Sequence, residues 1–176
     1  NTVKAIICAR GGYGTVRMMD DLNYDEFMKN PKWVVGFSDI TFLHVHISNS
    51  IGIQTLQGLM PFSFPKATPV AIESLRNELF GIRNTYEVAP DPLNRTGTGK
   101  GILIGGNLSI LYSITGTKSG MNTSGKILFL EDLDEYLYHI DRMMMQLKRA
   151  RKLENLRGLV VGGMTDMKDN AVPFGK

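Results

Sequence analysis

The strongest constraint on the fold of this chain is an alternation in its N-terminal part between short apolar runs, glycine-containing turns and residues at helical spacing. Val3 to Ala9 is an apolar run of strand type, and Arg10-Gly11-Gly12-Tyr13-Gly14-Thr15 carries it into Val16, Met19 and Leu22 at helical spacing. A short turn or helix over 24–30 ends at Pro31, and Trp33-Val34-Val35 makes a second strand. Gly36-Phe37-Ser38-Asp39 then leads into a helix over 40–50 that Gly52 stops. Ile53-Gln54-Thr55-Leu56 reads as a third strand, followed by Gln57-Gly58-Leu59-Met60-Pro61. Strands separated by helices are joined by crossovers, so they lie parallel and call for cover on both faces. Reacting groups in such layers gather at the carboxyl ends of the strands. The turns at Gly11-Gly12, Gly36-Phe37-Ser38 and Gln57-Gly58 all occupy such ends and are expected to converge.

A helix over 69–79 with Ile72, Leu75 and Leu79 on one face follows, and then the texture changes. Residues 89–100 are poor in apolar side chains and rich in Gly, Pro and Thr, as a linker is. The expected organisation is α/β throughout: a partial N-terminal domain over 1–88 with mainly parallel strands, joined through that linker to a partial C-terminal α/β domain over 101–176. The second unit begins with strand Ile102-Leu103-Ile104, the turn Gly105-Gly106 and Asn107 as a candidate N-cap for a helix over 108–114. Ile127-Leu128-Phe129-Leu130 is a compact strand ending on Glu131-Asp132, and a long helix over 136–152 carries an apolar stripe through Leu137, Ile140, Met143, Met144 and Leu147. A last strand runs through Leu159-Val160-Val161-Gly162-Gly163. The chain opens on Asn1-Thr2-Val3-Lys4 directly into a strand and closes on a loop-like Ala171 to Lys176, so it is expected to be a piece of something longer, truncated at both ends.

Composition narrows the function classes. The 20 basic and 17 acidic residues leave a net charge of +3, much of it in Lys148-Arg149-Ala150-Arg151-Lys152, where cations complement the end of a helix. No basic stripe interleaved with aromatics is present, so no nucleic-acid partner is expected. No apolar stretch approaches membrane-spanning length, and no membrane partner is expected either. Cys8 is the single cysteine, and its apolar surroundings make it a buried strand residue suited to a reducing compartment. No His/Cys/carboxylate spacing matches a ligand set, so neither a metal nor a cofactor is implied.

Two residues could carry chemistry. Ser38 stands where a strand turns into a helix, a place that lifts a hydroxyl out of a sheet beside free backbone N–H groups. The competing reading is that Ser38-Asp39 caps the helix, since both residue types favour that position. Along a helix starting at Ser38, His44 lies about 9 Å and His46 about 12 Å further on, too far to act on it as a base, and His139 sits inside the long helix. Glu131 directly follows four apolar strand residues, as an acid in a crevice would, although Glu131-Asp132 could equally cap the next helix.

Taken together, Ala9-Arg10-Gly11-Gly12-Tyr13-Gly14-Thr15-Val16-Arg17, Asn30-Pro31-Lys32 through Gly36-Phe37-Ser38-Asp39-Ile40-Thr41-Phe42-Leu43-His44, Gly105-Gly106-Asn107-Leu108-Ser109, Leu130-Glu131-Asp132 and Tyr138-His139-Ile140-Asp141-Arg142 resemble the LD-carboxypeptidases, or muramoyltetrapeptide carboxypeptidases. The resemblance implies a serine peptidase with a Ser-His-Glu triad, Ser38 as nucleophile in an N-terminal nucleophile domain, Glu131 as the acid, and an oxyanion hole from the backbone N–H groups of Asp39 and Gly12. It implies a histidine in a Gly-His segment beyond this chain, no cofactor, a cytoplasmic homodimer, and a muropeptide or other small peptide as substrate. The family also contains immunity hydrolases of microcin-type peptide nucleotides, which keeps that substrate class open; apart from the resemblance, the glycine-rich turn Gly11 to Gly14 also admits a non-catalytic anion-binding module. Leu56-Gln57-Gly58-Leu59-Met60 departs from the His-Gly-Pro-Met of many members.

Overall fold

The computed structural model describes residues 2–174; Asn1, Gly175 and Lys176, which end the expected opening and closing segments, lie outside the described residues. The protein is α/β, with two three-stranded sheets whose neighbouring strands are all parallel. The first sheet orders β1 (Ala5–Ile7), β2 (Trp33–Gly36) and β3 (Leu56–Gln57), and the second orders β4 (Leu103–Asn107), β5 (Ile127–Leu133) and β6 (Gly158–Thr165). Six helices accompany them among the described residues: α1 (Thr15–Met18), α2 (Asp25–Lys29), α3 (Thr41–Ile51), α4 (Pro69–Leu79), α5 (Leu108–Ser113) and α6 (Leu137–Arg149).

Local chemistry sets several of these boundaries. Thr68 accepts the Ala71 N–H through Oγ1 at 3.2 Å, and Pro69 occupies the first helical position, where its missing N–H costs nothing. Gly52 ends α3 at φ 68°, the left-handed conformation that glycine adopts without a Cβ clash. Residues 89–100 are exposed throughout and contain no helix or strand.

The largest buried cluster joins the helices of the first half to the second sheet and its helices. Met19, Phe42 and Val45 pack in one buried cluster with Leu108, Leu111, Leu128, Leu130, Met143 and Leu147. Met143 and Leu147, from the methionine-bearing stripe of α6, are fully buried there, which identifies that stripe as packing.

Four expectations need correction. Strand β1 is not covered on both faces: Ile6 is 49% and Ile7 39% exposed, because β1 lies at a sheet edge and the described residues fully pack neither side. Cys8 is half-buried and falls just past β1, not inside it. The third strand is limited to Leu56 and Gln57, paired with Val35 and Gly36, and 53–55 lie outside it. Strand β5 continues through Glu131 and Asp132 to Leu133, with a register irregularity between Leu130 and Asp132, so neither acid caps a helix that begins only at Leu137.

Leu111 is fully buried in the core cluster. Leu111→Ala is expected to lower unfolding stability by about 2–5 kcal/mol, the usual range for a leucine-sized core cavity, as read from the midpoint of urea denaturation.

Candidate active site

The turn after β2 is built by close approach. A Cβ on Gly36 would stand 2.8 Å from Ile40 Cγ1, so only glycine lets the following turn fold back over the strand end. Phe37 is extended, and Ser38 then adopts φ 60°, opening a 3-10 turn over Ser38–Ile40 that runs into α3. The left-handed region costs a residue with a side chain on the order of 1–2 kcal/mol. Strain of this kind persists where the surroundings over-determine it, and it clusters at active sites. Gly11 supplies part of that enclosure, since a Cβ there would lie 3.1 Å from Ser38 Cβ and 3.3 Å from its Oγ. Among the described residues no side chain hydrogen-bonds to Ser38 Oγ.

The capping reading of Ser38-Asp39 fails. Ile40 precedes α3 without a side-chain cap, and neither the Ser38 nor the Asp39 side chain accepts an N–H from that helix. The buried Asp39 carboxylate turns toward the glycine-rich turn instead: Oδ2 accepts the Thr15 N–H at 3.1 Å and the Thr15 hydroxyl at 2.7 Å. The start of α1 is thereby tied to the serine corner, with Gly12 in the intervening turn and open space around its Cα. Thr15 escaped the sequence reading; a hydroxyl closing a glycine turn at a helix start was the available signal.

Glu131 reaches the same region from the second sheet. Thr41, the first residue of α3, is fully buried, and its Oγ1 accepts the Asn107 backbone N–H at 3.2 Å. Asn107 at the end of β4 is in register with Glu131 in β5, one strand spacing away. The sequence-predicted acid and nucleophile therefore flank a single junction, Ser38–Thr41 on one side and Asn107–Glu131 on the other. Burial pushes the Glu131 carboxyl up to about 7, the neighbouring Asp132 adds to the rise, and Asn107 offsets part of it. Its Oε1 is buried without a hydrogen-bond partner among the described residues.

Asp132 has a different occupation. It accepts from Asn107 Nδ2 at 3.0 Å, from the Leu133 N–H at 2.9 Å and from the Ser109 N–H at 2.9 Å. Asn107 Oδ1 in turn accepts the Ile110 N–H and the Ser109 hydroxyl, which fulfils its expected capping role at α5.

All three histidines are engaged elsewhere. His44 Nε2 lies 2.9 Å from the Gly36 carbonyl, which can only accept, so Nε2 carries the proton; burial lowers the pKa of this ring. His46 Nδ1 meets Ser119 Oγ at 2.7 Å, and His139 Nδ1 meets Glu135 Oε2 at 2.6 Å. Among the described residues no group of three or more His, Cys, Asp or Glu side chains is placed to hold a metal ion.

Residues 1–58 match the LD-carboxypeptidase N-terminal domain, and residues 100–175 match the LD-carboxypeptidase C-terminal domain. A probable murein peptide carboxypeptidase of Bacillus subtilis is 40% identical over 90% of this chain and 51% of its own length. The murein tetrapeptide carboxypeptidase of Pseudomonas aeruginosa is 32% identical over 93% of this chain and 57% of its own length. Among solved structures, the muramoyltetrapeptide carboxypeptidase of Oxalobacter formigenes superposes with a TM-score of 0.81 at 28% identity, covering 97% of this chain and 59% of that one. The microcin C7 self-immunity protein MccF superposes with a TM-score of 0.80 at 26% identity, over 100% of this chain and 62% of that one. The chain spans about half the length of the curated relatives it matches. With both domain models matched in order and the serine corner and Leu-Glu-Asp strand brought to one junction, the chain belongs to the LD-carboxypeptidase family.

Proposed function

We propose that the whole protein is a serine-type LD-carboxypeptidase that removes the terminal D-alanine from muropeptide tetrapeptides in cell-wall recycling. The observation that carries this reading is Ser38, held at φ 60° between Gly36 and Gly11 with its hydroxyl uncommitted. Ser38 Oγ attacks the carbonyl carbon of the L-configured third residue, and its proton passes to a histidine contributed from outside residues 1–176. That histidine returns the proton to the departing D-alanine nitrogen, and water then releases the acyl group from Ser38. The backbone N–H groups of Asp39 and Gly12 receive the developing oxyanion; main-chain donors suit the task because they are fixed before charge develops. Glu131 orients the histidine. Its unpartnered Oε1 is suited to an imidazole N–H, and such a donor favours the ionised carboxylate.

The reading includes a domain division at 1–88 and 101–176 about the 89–100 linker, which the matches to 1–58 and 100–175 support. It also includes a cytoplasmic homodimer without nucleic-acid, membrane, metal or cofactor partners. The likeness to MccF favours one second reading, a hydrolase of peptide nucleotides on the same machinery.

In the full-length protein, D-alanine release from a tetrapeptide is expected to fall by roughly 10³–10⁶-fold in Ser38→Ala, the span seen when a triad nucleophile is removed. Release of an aminoacyl sulfamoyl nucleotide without D-alanine release would transfer the assignment to the second reading. Residues 1–176 alone are expected to release none, and Ser38-dependent turnover by them would place the base within this segment. Glu131 supplies a separate check. A carboxyl raised from 4.5 to about 7 binds its proton more tightly folded than unfolded, so its ionisation opposes folding increasingly as pH rises through that interval. Thermal melts of residues 1–176 should therefore show Glu131→Gln gaining on the parent chain between pH 5 and pH 8; an equal difference at both would contradict the assigned burial.

A further inference from the structure

An exopeptidase that releases a single C-terminal residue has to recognise a free carboxylate roughly one residue, about 3.8 Å of chain, beyond the carbonyl it attacks. Backbone N–H groups around Ser38 are allotted to the oxyanion, so the terminal carboxylate calls for a cation on the rim of the same turn. Arg10 has that position. It directly precedes Gly11, where an added Cβ would stand 3.1 Å from Ser38 Cβ and 3.3 Å from its Oγ.

The Arg10 side chain is exposed yet held. Its guanidinium lies 5.5 Å from the centroid of the Phe62 ring, and its Nε donates to the Gly11 carbonyl at 3.2 Å. Phe62 is anchored to the same strand end, because its N–H donates to the Ala9 carbonyl at 3.0 Å. Phe62 is 74% exposed, so this aromatic ring serves the guanidinium and the solvent rim more than the core. Stacking on a ring and pinning Nε leaves the two terminal nitrogens free, and Arg10 makes no ion pair among the described residues. A flat, pre-oriented guanidinium edge is the side-chain geometry that takes a carboxylate in two parallel hydrogen bonds.

We infer that Arg10, stacked on Phe62, binds the free C-terminal carboxylate of the peptide substrate and restricts the enzyme to removing a terminal residue. The inference rests on the carboxypeptidase reading above. Arg17 is the neighbouring alternative, but its guanidinium packs over Tyr13 at 5.4 Å and reaches the Tyr13 hydroxyl at 3.5 Å, within α1 and six residues along the chain from Gly11.

The test compares two substrates in the full-length protein: a tetrapeptide ending in D-alanine and the same peptide ending in D-alanine amide. The unaltered enzyme is expected to favour the free acid. Arg10→Gln is expected to lose roughly 10–100-fold in kcat/KM on the acid, the value of a charge-assisted pair, mainly through KM, and to lose little on the amide. Arg10→Lys should recover part of the preference, and Arg17→Gln should keep all of it. Ser38 labelling by a serine-reactive probe at the parent rate establishes that Arg10→Gln retains its fold. An acid-over-amide preference unchanged in Arg10→Gln, or lost in Arg17→Gln, overturns the assignment while leaving the carboxypeptidase reading intact. Absence of D-alanine release by the unaltered enzyme overturns both.

Discussion

One buried side-chain oxygen, Thr41 Oγ1, accepts the Asn107 N–H and joins the carboxyl ends of two separate parallel sheets. The contact admits little substitution. A Cβ on Gly106, at φ 139°, would stand 2.8 Å from both the Thr41 methyl and hydroxyl and 3.0 Å from Gln57 Oε1. Thr41 is the first residue of the helix that Ser38 leads into, and Asn107 is the register partner of Glu131. The separation of Ser38 from Glu131 is thus set by this hydrogen bond and the glycine beside it. An N–H orphaned there would forfeit about 1–3 kcal/mol of desolvation, which is ample reason for a β-branched hydroxyl at that position.

Three carboxylates surround the junction, and their hydrogen bonds divide them by task. Asp39 accepts two bonds from Thr15 and sets the glycine turn against Ser38. Asp132 accepts three, from Asn107, Ser109 and Leu133, and holds the end of β4 and the start of α5 in relation to β5. Both are committed to position. Glu131 Oε1 is buried without a hydrogen-bond partner among the described residues, as Asp39 Oδ1 also is, and burial raises the Glu131 carboxyl to about 7.

The elements legible in the sequence are those whose causes are local. Thr68-Pro69 starts α4 and Gly52 stops α3 through backbone chemistry within a few residues, and both boundaries fall where the pattern places them. Asn107 as a cap is the same kind of signal. The serine corner was visible as Gly36-Phe37-Ser38-Asp39, but whether it caps or attacks depends on where Asp39 points. That answer lies 24 residues away at Thr15. Glu131 was ambiguous for a similar reason, since only pairing with β4 and β6 carries β5 past the apolar run. The exposure of β1 was not legible at all, because an apolar run states a demand for cover and not whether a neighbouring element meets it.

The histidines complete the logic of the corner. His44 donates Nε2–H to the Gly36 carbonyl, which also accepts the Gly58 N–H at 3.1 Å, so the residue two before Ser38 is fixed from the helix side and the β3 side together. His46 fastens the same helix to Ser119 of the second half. His44 Nδ1 has no hydrogen-bond partner among the described residues, so this ring holds the corner through Nε2 without bonding the Ser38 hydroxyl. Among the described residues no imidazole hydrogen-bonds to Ser38 Oγ, and each of the three is bonded to another group. The proposed triad therefore takes its base from outside residues 1–176, with the unpartnered Glu131 Oε1 as the acceptor proposed for its N–H.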